Sequence, residues 1–279
     1  MSSINTRKSD IVWNYIGTIV SMASGFVLLP LLMHFLSSSE LGLWYVYVAL
    51  SNFAMLFEFG FNPTFARNIV YVISGAQHLS IEGCDIKSVQ EGIDWHLLNT
   101  VIKASKVIYA ILAVVVLALL STIGSLYISF VASGMGSFDI WVSWGLFCAS
   151  VFLNLYFLWS ITVLRGYGDI AGENKAVVIG RAAQLSVSAI LLLLGYGLVG
   201  AAIGYLANAI LLRLSAVVML RKHKEIEKGR HSDTMPVEAS SIREIFLTIF
   251  HVAWRDGLVQ LAVYASTQAM SILSSIFLG

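Results

Sequence analysis

Long stretches without a charged side chain dominate the sequence. Six of them contain between 17 and 32 residues, and about 20 apolar residues are enough to cross a bilayer as a helix. These uncharged stretches are 11–39, 41–57, 107–138, 140–164, 182–212 and 257–279. The pattern therefore predicts a chain that crosses a membrane several times as helices.

The region 176–220 is long enough to contain two crossings. Only Arg181 and Arg213 interrupt its 45 residues, and one helix of that length would run about 68 Å, against a hydrocarbon core of about 30 Å. The segment Gly195-Tyr-Gly-Leu-Val-Gly200 contains three glycines and is the predicted turn. Seven spans follow: 11–36, 41–60, 106–131, 139–164, 176–194, 199–220 and 257–278.

Composition agrees with this pattern. The chain has 17 basic and 16 acidic residues among 279, whereas a soluble chain of this length carries about 70 charges. Hydrophobic residues make up 58% and the mean hydropathy is +0.81, so the predicted fold class is an all-α polytopic membrane protein. The net charge of +1 gives no basic surplus for nucleic acid, and no nucleic-acid partner is expected.

The cysteines and histidines indicate no metal or cofactor site. Cys84 and Cys148 form no CxxC or Cys/His motif, so they are interpreted as inert thiols. The six histidines are scattered. A membrane enzyme would need His, Asp or Glu clustered at one leaflet, and the sequence therefore predicts no catalytic residue, no metal and no cofactor.

The basic residues predict the orientation. Sixteen of the seventeen lie at the ends of the spans that share a side with the N terminus, and the opposite connections contain none. Because Lys and Arg concentrate in cytoplasmic loops, the N terminus is predicted to be cytoplasmic, as are residues 62–103, 165–175 and 221–255. An interfacial helix or two is expected within 62–103.

The spans predict three parts. Residues 1–220 form a six-helix lobe, and residues 221–242 form a polar cytoplasmic linker that contains Gly229 and Pro236. Residues 243–279 begin a second lobe, of which only the first helix is present.

Polar side chains recur at helical spacing on several spans. Span one carries Asn14, Thr18, Ser21 and Gly25, and span seven carries Gln260, Tyr264, Thr267, Ser271 and Ser275. Two interpretations stay open. Small and hydroxylated residues pack helices together, and polar faces also line substrate pathways.

Arg213 is the seventeenth basic residue, and it lies within span six. It precedes Arg221 by eight residues, which places it about 12 Å inside the cytoplasmic end of the helix. It either extends to the headgroups or faces a cavity. In a cavity its planar guanidinium suits a diphosphate, because it forms bidentate bonds to phosphate oxygens.

Several segments resemble a known transporter family. They are Leu41-Gly-Leu-Trp44, Glu58-Phe-Gly-Phe-Asn-Pro-Thr-Phe-Ala-Arg67 with Ser74-Gly-Ala76, Arg165-Gly-Tyr-Gly-Asp169 and Asn174-Lys175, with Pro30 in the first span. They resemble the flippases of lipid-linked O-antigen and capsule units. These form the polysaccharide transporter branch of the multidrug/oligosaccharidyl-lipid/polysaccharide flippase superfamily.

The resemblance implies a function and a set of partners. The chain would move undecaprenyl-diphosphate-linked oligosaccharide across the bacterial inner membrane, in contact with membrane lipids and other polysaccharide assembly proteins. The substrate-binding candidates are the basic residues Arg67, Arg165, Arg181, Arg213 and Arg255 and the polar residues Asn14, Ser21, Gln260 and Tyr264. Family members have two six-helix lobes around a central cavity, which spans one, two and seven would line here.

One lobe cannot enclose an alternating-access path. The chain is therefore expected to be truncated, to be a fragment, or to be completed by a second polypeptide, and truncation is favoured. Two alternative functions remain. One is an extruder of small cations in the same superfamily, which would need acidic residues inside the helix bundle, and Glu58 is the one acidic residue near such a position. The other is that a truncated chain is a nonfunctional remnant.

Overall fold

The computed structural model describes residues 8–80, 83–84, 92–132 and 137–278, and they form an all-α polytopic membrane protein. Within these residues six helical segments are long and apolar enough to cross a membrane. They are Lys8–Phe35, Ser38–Glu58, Trp95–Val131, Phe138–Gly166, Ile170–Leu193 and Gly197–Leu220. The first six predicted spans each match one of them.

The described residues form eleven helices, and a hairpin of two-residue strands, β1 (Leu79–Ser80) and β2 (Gly83–Cys84), follows the third. The helices are α1 (Lys8–Phe35), α2 (Ser38–Met55), α3 (Phe61–Ile73), α4 (Trp95–Leu119), α5 (Ser125–Val131), α6 (Ser137–Tyr156), α7 (Leu158–Gly166), α8 (Ile170–Leu193), α9 (Gly197–Leu220), α10 (Lys224–Ser232) and α11 (Ala239–Leu278). A 3-10 turn, Leu56–Glu58, ends α2, and a π turn, Leu120–Gly124, joins α4 to α5.

The seventh predicted span, 257–278, is the C-terminal part of α11. Most of its side chains, including Gln260 and Tyr264, lie outside the described residues. Its crossing of the membrane and its place in a second lobe stay predictions. The start of α11 is well packed, since Ile245, Ile249 and Ala253 are buried against α3 and α4.

The third crossing begins earlier than predicted. The sequence predicts a start at residue 106, because Lys103 and Lys106 directly precede the uncharged stretch. The helix instead begins at Trp95. Both lysines find partners on the helix surface: Lys103 donates to the Val237 carbonyl at 3.3 Å, and the Lys106 ammonium lies 4.2 Å from the Trp159 ring. Asp94 caps the new start by accepting from the Leu97 N–H at 2.8 Å.

The crossings pack in a fixed order. α1 lies against α8, α8 against α9, α9 against α6, and α6 against α4. Two apolar cores result. One surrounds Tyr47 and Phe147, and the other surrounds Phe65 and Tyr109.

The two cores lie towards opposite ends of the lobe. The Tyr47 core includes Leu36 and Leu198, beside the turns that join α1 to α2 and α8 to α9. The Phe65 core includes Leu98 and Leu220, beside the start of α4 and the end of α9. The candidate site described below includes polar groups that adjoin the Phe65 core, the Tyr109 hydroxyl among them.

The predicted turn at Gly195–Gly200 is present, and Gly195 and Gly197 have φ of +84° and +47°. It lies beside the first turn of α2, since a Cβ on Gly197 would be 3.2 Å from Glu40 Oε1. Glu40 belongs to a capping box with Ser37, whose N–H donates to Glu40 Oε2 at 2.9 Å. The two predicted external connections therefore lie at the same end of the lobe.

The polar linker folds onto the opposite end of the lobe through α10. His223 contacts Asp169 at 3.0 Å, and Arg230 donates to Asn99 at 3.0 Å and to Glu227 at 2.7 Å. The hydrogen bond from His223 holds the pKa of Asp169 below its usual range. Burial raises the pKa of Tyr167, which also contacts Glu227, to about 12.

A labelling experiment tests the orientation. We expect cysteine at Ser38 or Tyr196 to react with an impermeant thiol reagent from outside the cell, with Cys84 and Cys148 replaced, because both positions are exposed and adjoin the connections predicted to be external. Cysteine at Lys228, exposed on α10, is the matched control and should react only after permeabilisation. The opposite pattern would place the N terminus outside. Ser133, a third expected external position, lies outside the described residues.

Candidate functional site

A sharp hinge at the end of α2 directs Glu58 into the lobe. After the 3-10 turn, Phe59 and Gly60 adopt φ of +45° and +73°, and α3 then begins in a new direction. The Glu58 side chain is buried at the inner side of this hinge, with the residue 8% exposed. The backbone N–H of Asn62, in the first turn of α3, donates to its carboxylate, which suits the positive end of a helix.

Glu58 is part of a chain of hydrogen bonds across three further elements. The Tyr109 hydroxyl of α4 donates to Glu58 Oε1 at 3.3 Å and lies 3.5 Å from Thr162 Oγ1 of α7. Thr162 in turn donates to Asn62 Oδ1 at 3.1 Å. Tyr109 and Thr162 are fully buried. The carboxylate is therefore held by groups from α3, α4 and α7.

Arg213 lies inside the same part of the lobe. The residue is 7% exposed, and its Nη2 donates to Asn154 Oδ1 of α6 at 3.3 Å. Its Nε and Nη1 are buried and have no hydrogen-bond partner among the described residues. Of the two sequence interpretations, extension to the headgroups does not fit this burial, so Arg213 is an interior cation.

Tyr109 lies between the two ends of this polar region. Its hydroxyl is hydrogen-bonded to Glu58, and its ring is close to Arg213; Arg165, at the C-terminal end of α7, is close to Glu58. We name the set Glu58, Asn62, Tyr109, Asn154, Thr162 and Arg213 the Arg213 cluster. It offers two unused N–H donors to an anion and one buried carboxylate to a cation or a proton. It contains no Ser, Cys or Lys nucleophile placed beside a base.

The other predicted basic residues lie elsewhere. Arg67 is half exposed and pairs with Asp256 at 3.7 Å, Arg165 forms an ion pair with Glu173, and Arg255 is exposed beside His251. Arg181 donates to Gln184 at 3.1 Å. The structure therefore brings one of the five predicted arginines, Arg213, into the buried cluster. A role for the others in substrate binding stays a prediction.

The predicted polar residues of α1 are not part of the Arg213 cluster. Asn14 and Thr18 are exposed and Ser21 is half buried, whereas Gly17 and Ser24 are buried. A Cβ on Gly17 would meet Asn174 of α8 at 2.2 Å, so α1 packs on α8 through the face that contains Gly17. Asn14 and Ser21 are outside this contact, and a substrate role for them is still a prediction, as it is for Gln260 and Tyr264.

The polar and small residues of α8 and α9 pack against one another. Gln184 Oε1 accepts from Asn208 Nδ2 at 3.0 Å, and a Cβ on Gly204 would lie 1.9 Å from Ser188 Oγ. A Cβ on Gly180 would lie 2.5 Å from Asn208 Oδ1. This close seam fits the interpretation that small and hydroxylated residues at helical spacing pack helices together.

Sequence reasoning identified Arg213 but missed Tyr109 and Thr162. Glu58 was considered only as the one acidic residue near the bundle, and Tyr109 and Thr162 lie within predicted apolar spans. One signal was available: Glu58 and Asn62 are four residues apart. Within the described chain, no three His, Cys, Asp or Glu side chains gather as metal ligands would.

Comparison with known proteins gives fold neighbours only. No protein-family model matches the sequence, and no curated protein sequence matches it. One similar solved structure is the outward-facing conformation of a multidrug resistance MATE family transporter of the MOP superfamily. The TM-score is 0.63 at 20% identity, over 96% of this chain and 55% of that chain.

A second similar structure is a MOP superfamily transporter from Pyrococcus furiosus, described as having a binding pocket of reverse polarity that suggests a different function. The TM-score is 0.66 at 20% identity, again over 96% of this chain and 55% of the other. The chain thus has the fold of roughly half of these two proteins. At this identity the likeness shows the fold.

Proposed function

We propose that the chain is one lobe of a membrane transporter, and that the transporter moves an oligosaccharide linked to undecaprenyl diphosphate across the bacterial inner membrane. The observation that carries this proposal is Arg213: a buried guanidinium with two unpartnered nitrogen atoms inside a membrane-spanning lobe. Charges at such depth are costly and mark substrate or ion pathways.

The substrate chemistry follows from the guanidinium. A guanidinium binds two oxygens of a phosphate through Nη2 paired with either Nε or Nη1. Arg213 Nε and Nη1 are unpartnered, and Nη2 has a second N–H besides the one that donates to Asn154, so one such pair is free. The exposed cytoplasmic residues Arg67 and Arg165 would attract the diphosphate before it reaches Arg213. The sugars would meet polar groups and the lipid tail would stay in the bilayer, so no covalent bond is broken.

The likeness to transporter structures supports the lobe assignment. Because those proteins are almost twice as long as this chain, we propose that a second lobe, in the same polypeptide or another, completes the path. Alternating access then arises when the two lobes move against each other. Proteins of surface polysaccharide assembly would supply and receive the substrate.

One observation favours a different substrate class, a small organic cation. Glu58 is buried in the lobe and hydrogen-bonded to Tyr109, and one fold neighbour is a multidrug resistance transporter. An extruder of cations needs such a carboxylate. The charge of the bound molecule therefore separates the two proposals.

A binding experiment on the purified full chain in detergent distinguishes them. We expect undecaprenyl diphosphate at about 100 times its Kd to stabilise the chain by about 2.7 kcal/mol, which raises Tm by several degrees. Arg213→Ala should remove this stabilisation, and Arg213→Lys should keep part of it, because the charge remains while the fork is lost. The measurement is Tm with and without lipid.

Arg221→Ala is the matched control, since Arg221 is exposed at the end of the same helix. Ethidium is the competing probe and should leave Tm unchanged. If ethidium stabilises the chain through Glu58, with loss in Glu58→Gln, while undecaprenyl diphosphate has no effect, the cation extruder is the correct function. In a complete protein, normal surface polysaccharide with Arg213→Ala at equal protein level would also contradict the flippase proposal.

A further inference from the structure

Helix α11 rests directly on the backbone of the hinge after α2. A Cβ on Gly257 would lie 3.0 Å from the Phe59 carbonyl oxygen and 3.1 Å from Phe59 Cα. A Cβ on Gly60 would lie 2.7 Å from Asp256 Cβ and 3.1 Å from the Ala253 carbonyl oxygen. The helix and the hinge therefore approach so closely that neither Gly257 nor Gly60 has room for a side chain.

Polar groups also join α11 to the hinge. The single O–H of Thr64 is shared between the Gly60 carbonyl, at 2.9 Å, and Asp256 Oδ2, at 3.3 Å. Arg67 pairs with the same carboxylate at 3.7 Å, with both side chains well exposed. An exposed pair contributes little, so the backbone contact decides the packing here.

The hinge itself is strained. Phe59 is the one non-glycine residue with positive φ among the described residues, and it is followed by Gly60 with φ of +73°. A bulky residue in the left-handed region persists only where its surroundings hold it. The contact with α11 is part of those surroundings. The preceding residue, Glu58, belongs to the Arg213 cluster.

We propose that α11 acts as a lever on the hinge at Phe59 and Gly60. While Gly257 lies on Phe59, the hinge keeps its strained form and Glu58 stays inside the Arg213 cluster. When α11 moves away, the hinge relaxes and the cluster opens. The purpose of this lever rests on the proposed function, since it would relay the motion of a second lobe to the buried site, but the mechanical link can be measured without transport.

Thiol reactivity in the purified full chain tests the lever. Thr162→Cys places a thiol in the Arg213 cluster. Native Cys148, on α6, is a buried thiol outside the cluster and serves as the reference. Cys84→Ser removes the other native thiol. We expect Gly257→Val to raise the rate of thiol modification at position 162 about tenfold, because overpacking at this contact increases the population of the locally opened state by about an order of magnitude. Gly257→Ala should give a smaller rise. A small methanethiosulfonate reagent with mass spectrometry gives both rates in one sample.

Gly124→Val is the matched control. Gly124 is equally crowded, with a Cβ 2.8 Å from Trp144, but Trp144 borders Cys148 and not the hinge. It should raise the rate at Cys148 and leave position 162 unchanged. Asp256→Asn weakens the polar contacts between α11 and the hinge without adding a larger side chain, and it should raise the rate of thiol modification at position 162 modestly. This variant provides the test if Gly257→Val does not fold.

The lever is wrong if position 162 reacts at the same rate in every folded Gly257 variant, or if Gly257→Ala raises the rates at position 162 and Cys148 equally. It is also wrong if Gly124→Val opens position 162 as much as Gly257→Val does. Each of these results would leave diphosphate binding untouched. Conversely, a failed binding experiment would not change the labelling rates.

Discussion

Arg213→Met is expected to make the chain more stable while it abolishes diphosphate binding. Two nitrogen atoms of Arg213 are buried without partners, and among the described residues it forms no ion pair. Each unsatisfied buried group costs about 1–3 kcal/mol, and an apolar side chain of similar volume often replaces a buried charge with a gain. We expect the free energy of unfolding to rise by about 2 kcal/mol.

Thermal unfolding of the purified chain, with and without undecaprenyl diphosphate, measures both effects. Tm should rise by about 5 °C without lipid, and lipid should no longer raise it further. Asn154 loses one donor, but it is only half buried and can bond to other groups. Arg221→Met, at the exposed end of α9, should change neither quantity. A fall in Tm for Arg213→Met would show that the guanidinium is satisfied and structural.

The seam between α8 and α9 is the second place where one substitution should have a large effect. A Cβ on Gly204 would lie 1.9 Å from Ser188 Oγ and 3.0 Å from the Gln184 carbonyl oxygen. Gly204→Ala therefore pushes two closely packed helices apart. We expect it to destabilise the chain by about 3 kcal/mol, seen as a lower Tm and less folded protein in detergent.

Gly145→Ala is the matched control. Gly145 also lies within a membrane-spanning helix, but a Cβ there meets no atom within 4 Å. Alanine should stabilise this helix by about 0.5–1 kcal/mol. The pair of substitutions separates crowding from helix propensity, and equal effects at Gly204 and Gly145 would contradict the seam.

Ser188 provides a second check on the same contact. Its hydroxyl is buried and has no hydrogen-bond partner in the part of the chain that the structure describes, so Ser188→Ala alone should be nearly neutral. Combined with Gly204→Ala it removes the closest clash, although Ser188 Cβ remains 3.0 Å from the new methyl. We expect partial recovery of Tm, and a double-mutant cycle gives the interaction energy. Additive effects would show that the two residues do not touch.

The ends of the membrane helices could be predicted where charge and hydropathy change together. The turn at Gly195–Gly200 was found because three glycines interrupt a stretch too long for one crossing. The start of α4 was misplaced because Lys103 and Lys106 looked like a boundary. Their partners, Val237 and Trp159, come from distant parts of the chain, and sequence spacing alone does not show them.

The segments able to cross a membrane are evident from the amino-acid sequence, because lipid excludes charge and forces the backbone into helices. Arg213 stands out in the sequence as well, since a lone charge inside an apolar span is costly wherever it points. The burial of Arg213, and the position of Glu58 beside Tyr109 in the same region, follow only from the packing of the helices. The direction and the partners of the Arg213 and Glu58 side chains depend on how α4, α6, α7 and α9 pack and on the hinge at Phe59 and Gly60. These contacts join residues that are far apart in the chain.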